Sequence, residues 1–316
     1  MLIKVLDRDA MGVDTPFSPL YSLGEIEIFS GTTAEELKDR IADADIIILN
    51  KVKITKDVIL SAKKLRLICT FATGYDNIDV AACRAAGIAV CNVPAYSTDS
   101  VALMTVATVL ALRTHLFEYT AYVNSGEYTD SGIANKLTPV YHEIRGAKWG
   151  IIGYGNIGRA VAMAARALGA EVMFYQRTPV NDAEYSDIDK ICAECDIITL
   201  HCPLNNDSRN LIDENRIALM KKGVILVNEA RGAVISERDV ADAVISGKIG
   251  GFGCDVYSVE PFAKDHPYTQ LLGMKNVILT PHSAWGSYEA RVRCVNIIRE
   301  NINSFIRGEI KNRVDK

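Results

Sequence analysis

Three residues in this 316-residue chain have side chains and positions suited to proton and anion chemistry, and each stands just beyond a short apolar run. Arg231 closes Asn228-Glu229-Ala230-Arg231 after the run Val224 to Val227. Glu260, with Pro261, follows Asp255 and the run Gly250 to Cys254. His282 follows Thr280-Pro281 after the run that begins at Val277. Their chemistry is complementary. A guanidinium holds and polarises an anionic group, and an imidazole gives or takes a proton near neutral pH. A carboxylate on the other ring nitrogen would stabilise the imidazolium. Reduction of a 2-oxo acid calls for this set: a cation for the carboxylate, a proton for the carbonyl oxygen and a hydride for the carbonyl carbon. Each residue alone has an ordinary structural reading, Arg231 as a capping donor, Glu260 as a solvated carboxylate and His282 as a loop histidine. All three at strand ends point to catalysis.

A source of hydride is implied by Gly153-Tyr154-Gly155-Asn156-Ile157-Gly158. A glycine triplet is informative only between a strand and a helix. Here Lys148 to Ile152 reads as the strand, and Asn156 to Leu168 reads as a helix ending at Gly169. Gly153 then makes the tight turn, Gly155 lets the backbone approach a pyrophosphate, and Gly158 lets helix and strand pack closely. Unpaired N–H groups and the helix dipole favour the anion. The turn therefore predicts a nicotinamide dinucleotide site and an oxidoreductase. About 20 residues on, NAD sites usually carry an acid for the adenosine ribose. This chain has Gln176-Arg177-Thr178 there. With no carboxylate to repel a 2′-phosphate and a guanidinium to grip one, the expected cofactor is NAD(P)H, with NADP(H) favoured over NAD(H).

The elements that must position these residues are legible as apolar runs alternating with amphipathic stretches. Ile3 to Leu6, Ile46 to Leu49, Leu65 to Phe71 and Ile88 to Cys91 read as strands in the first third. Gly150 to Ile152, Glu171 to Tyr175, Asp196 to Leu200, Gly223 to Val227, Gly250 to Cys254 and Val277 to Thr280 follow later. Such alternation predicts parallel sheets covered on both faces. The stretch Ser100 to Leu112 is apolar nearly all round and predicts a buried helix capped by Thr98 or Asp99, with a polar loop at Asn124 to Ser131. Tyr288 to Arg307 predicts a last helix that packs back on the first lobe. Length and a 49% apolar composition suit two α/β domains with a sizeable core. A net charge of -4 argues against nucleic acid as a partner, no apolar run suggests a membrane span, and the cytoplasm is the expected address. The eight cysteines lie mostly in apolar runs, as reduced thiols do, and Cys192-Ala193-Glu194-Cys195 has no second pair at zinc spacing. No metal is expected. Of the other histidines only His201 lies near the cofactor crevice, as wall rather than acid.

These motifs, in this order, resemble the D-isomer-specific 2-hydroxyacid dehydrogenase family. The resemblance is carried by Thr73-Gly74-Tyr75-Asp76-Asn77-Ile78-Asp79, Gly153 to Gly158, His201-Cys202-Pro203-Leu204, Asn228 to Gly232, Asp255 with Glu260-Pro261, and Thr280 to Trp285. It implies two Rossmann-like, doubly wound α/β domains. A substrate domain (1–98 and 286–316) would flank an inserted dinucleotide-binding domain (99–285), and the protein would form a homodimer. It further implies catalytic roles for Arg231, Glu260 and His282, with substrate carboxylate bound by Thr73 and Gly74 and the pocket shaped by Trp285. Gly155, Asn156 and Ile157 would hold the pyrophosphate, Gln176, Arg177 and Thr178 the adenosine end, and Cys202, Pro203, Ala230 and Asp255 the rest of the cofactor. The acid at Glu260, where formate-type members have glutamine, favours reduction of a small 2-oxo acid such as hydroxypyruvate, glyoxylate or pyruvate. A corepressor-type cofactor sensor is the alternative. Two residues depart from the family pattern. Glu229 puts a carboxyl beside Arg231, which is expected to weaken its hold on an anion, and Leu103 stands where glutamate or glutamine is usual.

Overall fold

The computed structural model describes residues 1–316, whose backbone divides into two compact units, 1–97 with 286–316 and 98–285. The first unit opens with β1 (Leu2–Val5), β2 (Glu25–Ile28), α1 (Ala34–Ile41), β3 (Ile46–Leu49), α2 (Lys56–Ser61), β4 (Leu67–Thr70), α3 (Val80–Ala85) and β5 (Ala89–Cys91). Its strands form one parallel sheet in the order β2-β1-β3-β4-β5. β3 and β4 are buried along their whole length, which is why their sequences are continuous apolar runs. Edge strand β2 is an addition to the sequence reading. Its Glu-Ile-Glu-Ile alternation is the period of a half-covered strand.

The second unit begins at Thr98, one residue ahead of the boundary read from the sequence, because α4 (Thr98–Arg113) starts there. Thr98 and Asp99 lie inside its first turn rather than capping it. α5 (Leu116–Asn124) and α6 (Glu127–Ser131) follow, so the expected polar loop contains a short helix. Then come β6 (Lys148–Ile152), α7 (Asn156–Ala167), β7 (Glu171–Tyr175), α8 (Ile188–Glu194), β8 (Ile197–Leu200), α9 (Glu214–Leu219), β9 (Val224–Asn228), α10 (Glu237–Ile245), β10 (Ile249–Cys254) and β11 (Val277–Leu279). The six expected strands form a parallel sheet in the order β11-β10-β9-β8-β6-β7. The sheet order reverses between β6 and β8, where a doubly wound sheet opens its ligand crevice. α4 covers one face, and Gly253 makes room for it: a Cβ there would meet Thr108 Cγ2 at 2.3 Å. The helix is not buried all round, since Leu103 is 69% exposed. Cys192 and Cys195 are free thiols packed in the core, and burial pushes both up to about 12.

The chain returns to the first unit with α11 (Tyr288–Ile306), capped by Ser287 and burying Cys294, Val295, Ile298 and Ile302. Val314 N–H then donates to Val90 O at 2.9 Å, so the C-terminal segment runs alongside β5. The α/β architecture is the one the motifs implied, with each unit built on its own parallel sheet.

Candidate active site

The glycine turn joins β6 to α7, and its three glycines meet three different constraints. Gly153 has φ of 101°, and a Cβ there would lie 2.5 Å from Cys202 N and 2.6 Å from His201 C. A Cβ on Gly158 would stand 2.1 Å from Gly153 O, so helix and turn close only without a side chain. Gly155, at the N-cap of α7, faces open space with nothing within 4 Å of its ideal Cβ. That opening, at the start of a 12-residue helix, is a cradle for an anion such as pyrophosphate.

Beside the turn lies a cavity of about 420 Å³. Gly153, Gly155, Gln176, Arg177, Cys202 and Pro203 line it, as does His201, which the sequence placed in the wall. Thr178 does not line it. Its carbonyl accepts from Gln176 Nε2 at 2.9 Å, which folds the Gln176 side chain back on its own loop. Arg177 is exposed and makes no ion pair within the protein, whereas Asp207 is the one carboxylate in the lining. The residues present therefore fit a nicotinamide dinucleotide laid across the carboxyl ends of the strands.

At the far strand ends, Glu260 and His282 meet: Glu260 Oε2 lies 2.7 Å from His282 Nδ1. Glu260 is itself held by Tyr257 N–H, which donates to Oε1 at 3.1 Å. The loop that carries His282 is clamped from below. Asp255, 2% exposed at the end of β10, accepts from Thr280 Oγ1 at 2.6 Å, Ser283 N at 2.8 Å and Ala284 N at 2.9 Å. Tyr257 OH donates to Thr280 O at 2.8 Å, and Ser100 Oγ of α4 donates to Ala284 O at 2.6 Å. Within that clamp His282 sits at φ of 53°, a conformation that a non-glycine residue keeps only when its surroundings hold it. Asp255 thus fixes the histidine loop, a role beyond the cofactor contact that its position after the strand suggests. Nothing local signals it, because its three partners lie 25 to 29 residues away.

Arg231 stands in the turn after β9. Its Nη1 donates to Ala230 O at 2.8 Å, and its own carbonyl accepts from Asn228 Nδ2 at 3.0 Å. Gly232 is required next to it, since a Cβ there would approach Tyr257 C to 2.0 Å. Arg231, Glu260 and His282 are thereby built on neighbouring strand ends of one sheet, β9, β10 and β11.

Glu229 differs from expectation. It is 8% exposed, its Oε2 is buried without a hydrogen-bond partner, and burial followed by the charge of Asp255 pushes its carboxyl up to about 9. At neutral pH it is an uncharged acid, so it does not place a negative charge beside Arg231. His201 is similar in kind: both ring nitrogens are buried without partners, and burial pushes it down to about 3, which keeps it neutral.

Thr73 and Gly74 belong to the first unit, in the loop after β4. Thr73 Oγ1 donates to Val93 O and Thr73 O accepts from Asn92 Nδ2, both at 2.8 Å, so the turn is tied to the segment after β5. Trp285 is the last residue of the second unit.

Known proteins resemble this chain in sequence and in fold. Residues 106–284 match the family model described as D-isomer specific 2-hydroxyacid dehydrogenase, NAD binding domain. The chain is 36% identical to a hydroxypyruvate reductase of Blautia hydrogenotrophica over 100% of both chains. It is 34% identical to a glycerate dehydrogenase of Methylorubrum extorquens, again over 100% of both. Among solved structures, D-lactate dehydrogenase from Aquifex aeolicus, complexed with NAD and lactic acid, superposes with a TM-score of 0.87 at 28% identity, covering 100% of this chain and 99% of that one.

Proposed function

Because the chain belongs to the D-isomer-specific 2-hydroxyacid dehydrogenases, a family of nicotinamide-dependent oxidoreductases, we propose that it reduces a small 2-oxo acid to the D-2-hydroxy acid, with His282 as proton donor. Hydroxypyruvate and glyoxylate are the first candidates, since relatives are named for reducing them. The observation that carries the reading is the Glu260–His282 pair at 2.7 Å, seated on a loop held by Asp255.

The bound cofactor supplies hydride to the carbonyl carbon. Arg231 holds the anionic substrate and polarises its carbonyl, and no ionised neighbour at position 229 opposes it at neutral pH. Glu260 holds Nδ1 of His282, leaving Nε2 to give its proton to the forming alkoxide. The α7 N-terminus and the open face of Gly155 receive the pyrophosphate. Arg177, unpaired at the cavity wall, supports the proposed preference for NADP(H). A homodimer is part of the same proposal. Leu103, Leu116, Phe117, Val123 and Tyr128 of α4 to α6 are exposed apolar side chains of the kind an interface covers.

Oxidation of NADPH and NADH against a panel of 2-oxo acids tests the reading. His282→Ala should lower kcat by roughly a hundredfold or more while cofactor binding is kept. Tight cofactor binding with no turnover on any acid would establish the sensor alternative instead.

A further inference from the structure

In the second unit, three side chains carry buried polar atoms without partners: His201, Glu229 and Tyr268. Two of them fall in one row. Ile152, Leu200, Asn228 and Cys254 are aligned in register across β6, β8, β9 and β10. One residue further, at the carboxyl ends, stand Gly153, His201, Glu229 and Asp255, on strands spaced about 4.8 Å apart. Gly153 begins the phosphate-binding turn, and the row runs from it toward the Arg231 and His282 loops. Gly153, His201 and Arg177 line the cavity, and a dinucleotide with its pyrophosphate at that turn and its adenosine toward Arg177 would extend its nicotinamide half along this row.

Glu229 finds no acceptor in the protein for the proton it holds. Asp255, the nearest acid, already accepts from Thr280, Ser283 and Ala284. The other titratable groups that sense Glu229 are Cys254 and Tyr257, whose own donors are engaged: Cys254 Sγ with Val256 O and Tyr257 OH with Thr280 O. An unsatisfied buried carboxyl costs folding free energy, and a leucine of similar length would avoid the cost. Such a cost is retained where a ligand completes the bond.

We propose that Glu229 is a cofactor-binding residue, whose carboxyl O–H donates a hydrogen bond to an acceptor on the nicotinamide half of the bound dinucleotide, with neighbouring His201 as a second donor in the same row. The inference rests on the dehydrogenase reading above, and it concerns a position where the family usually carries a small or uncharged residue.

The test is binding rather than turnover. Dissociation constants of NADH, NADPH and ADP-ribose, which lacks the nicotinamide, are measured for the full chain and for Glu229→Gln and Glu229→Leu, together with thermal unfolding without ligand. Gln keeps a neutral donor of the same shape, so Glu229→Gln should bind both reduced cofactors within about threefold of the parent. Glu229→Leu should weaken both by roughly tenfold or more, bind ADP-ribose as the parent does, and be no less stable without ligand. Unchanged cofactor binding by Glu229→Leu, equal weakening by both variants, or a matching loss for ADP-ribose would each overturn the proposal. If Glu229→Leu does not fold, weakening of NADH by Glu229→Gln beyond threefold with ADP-ribose unchanged would overturn it, and retention with a lowered affinity in His201→Phe would support it. Failure of the parent chain to bind any nicotinamide cofactor would instead remove the dehydrogenase reading itself.

Discussion

Replacing Glu229 with glutamine should change how stability depends on pH, and the size of the effect follows from burial. In the folded chain the carboxyl is pushed up to about 9 from an ordinary glutamate value of 4.5, by loss of water and then by the charge of Asp255. The folded state therefore keeps a proton that the unfolded chain releases above the ordinary value. Stability from this group is fully present below the unfolded pKa, falls as pH rises between the two values, and levels off above the folded one. The slope in that window is about 1.4 kcal/mol per pH unit. Glutamine is neutral throughout, so the advantage of Glu229→Gln over the parent should grow by about 4 kcal/mol from pH ~5.5 to pH ~8.5. Titrating groups that do not sense Glu229 are common to the two proteins and cancel in the difference. Both tryptophans, Trp149 and Trp285, lie in the second unit, so fluorescence during urea unfolding reports on the unit that holds Glu229. A difference that stays flat across this range would show that Glu229 is ionised in the folded protein, and the account of an uncharged acid beside Arg231 would be wrong.

Two other substitutions probe the cofactor side. Gly158→Ala puts a methyl group 2.1 Å from Gly153 O, and neither backbone can yield, so it should destabilise the second unit by about 1 to 3 kcal/mol in urea unfolding and weaken dinucleotide binding. No change in either measurement would contradict the close packing of turn and helix. Arg177→Ala should weaken NADPH by about tenfold or more and leave NADH nearly unchanged in direct titration, because a guanidinium at the adenosine end discriminates only through the 2′-phosphate. An equal effect on both cofactors would assign Arg177 a structural role.

Local spacing determined what could be read without coordinates. The glycine turn was legible because strand, turn and helix are contiguous, and each glycine answers a constraint within or next to that unit. Arg231, Glu260 and His282 were legible because each follows an apolar run and a parallel sheet gathers its strand ends on one side. β2 carried its own signal in the alternation of Glu25 to Ile28, at the edge where half-burial is expected. Other features depend on residues far apart in sequence. Asp255 holds the His282 loop through groups 25 to 29 residues away, so its position after β10 reads equally well as cofactor contact or clamp. Leu103 looks like core in an apolar helix, yet only the packing of α4 on the sheet decides which side it faces, and that side is exposed. The charge of Glu229 is the sharpest case. Its sequence neighbours suggest a carboxylate beside an arginine, but its protonation follows from burial next to Asp255, which the chain reaches only after α10 and β10. Residue types and spacing told which groups meet at the strand ends; the dielectric and partners of each group, and hence its charge, came only with the packed sheet.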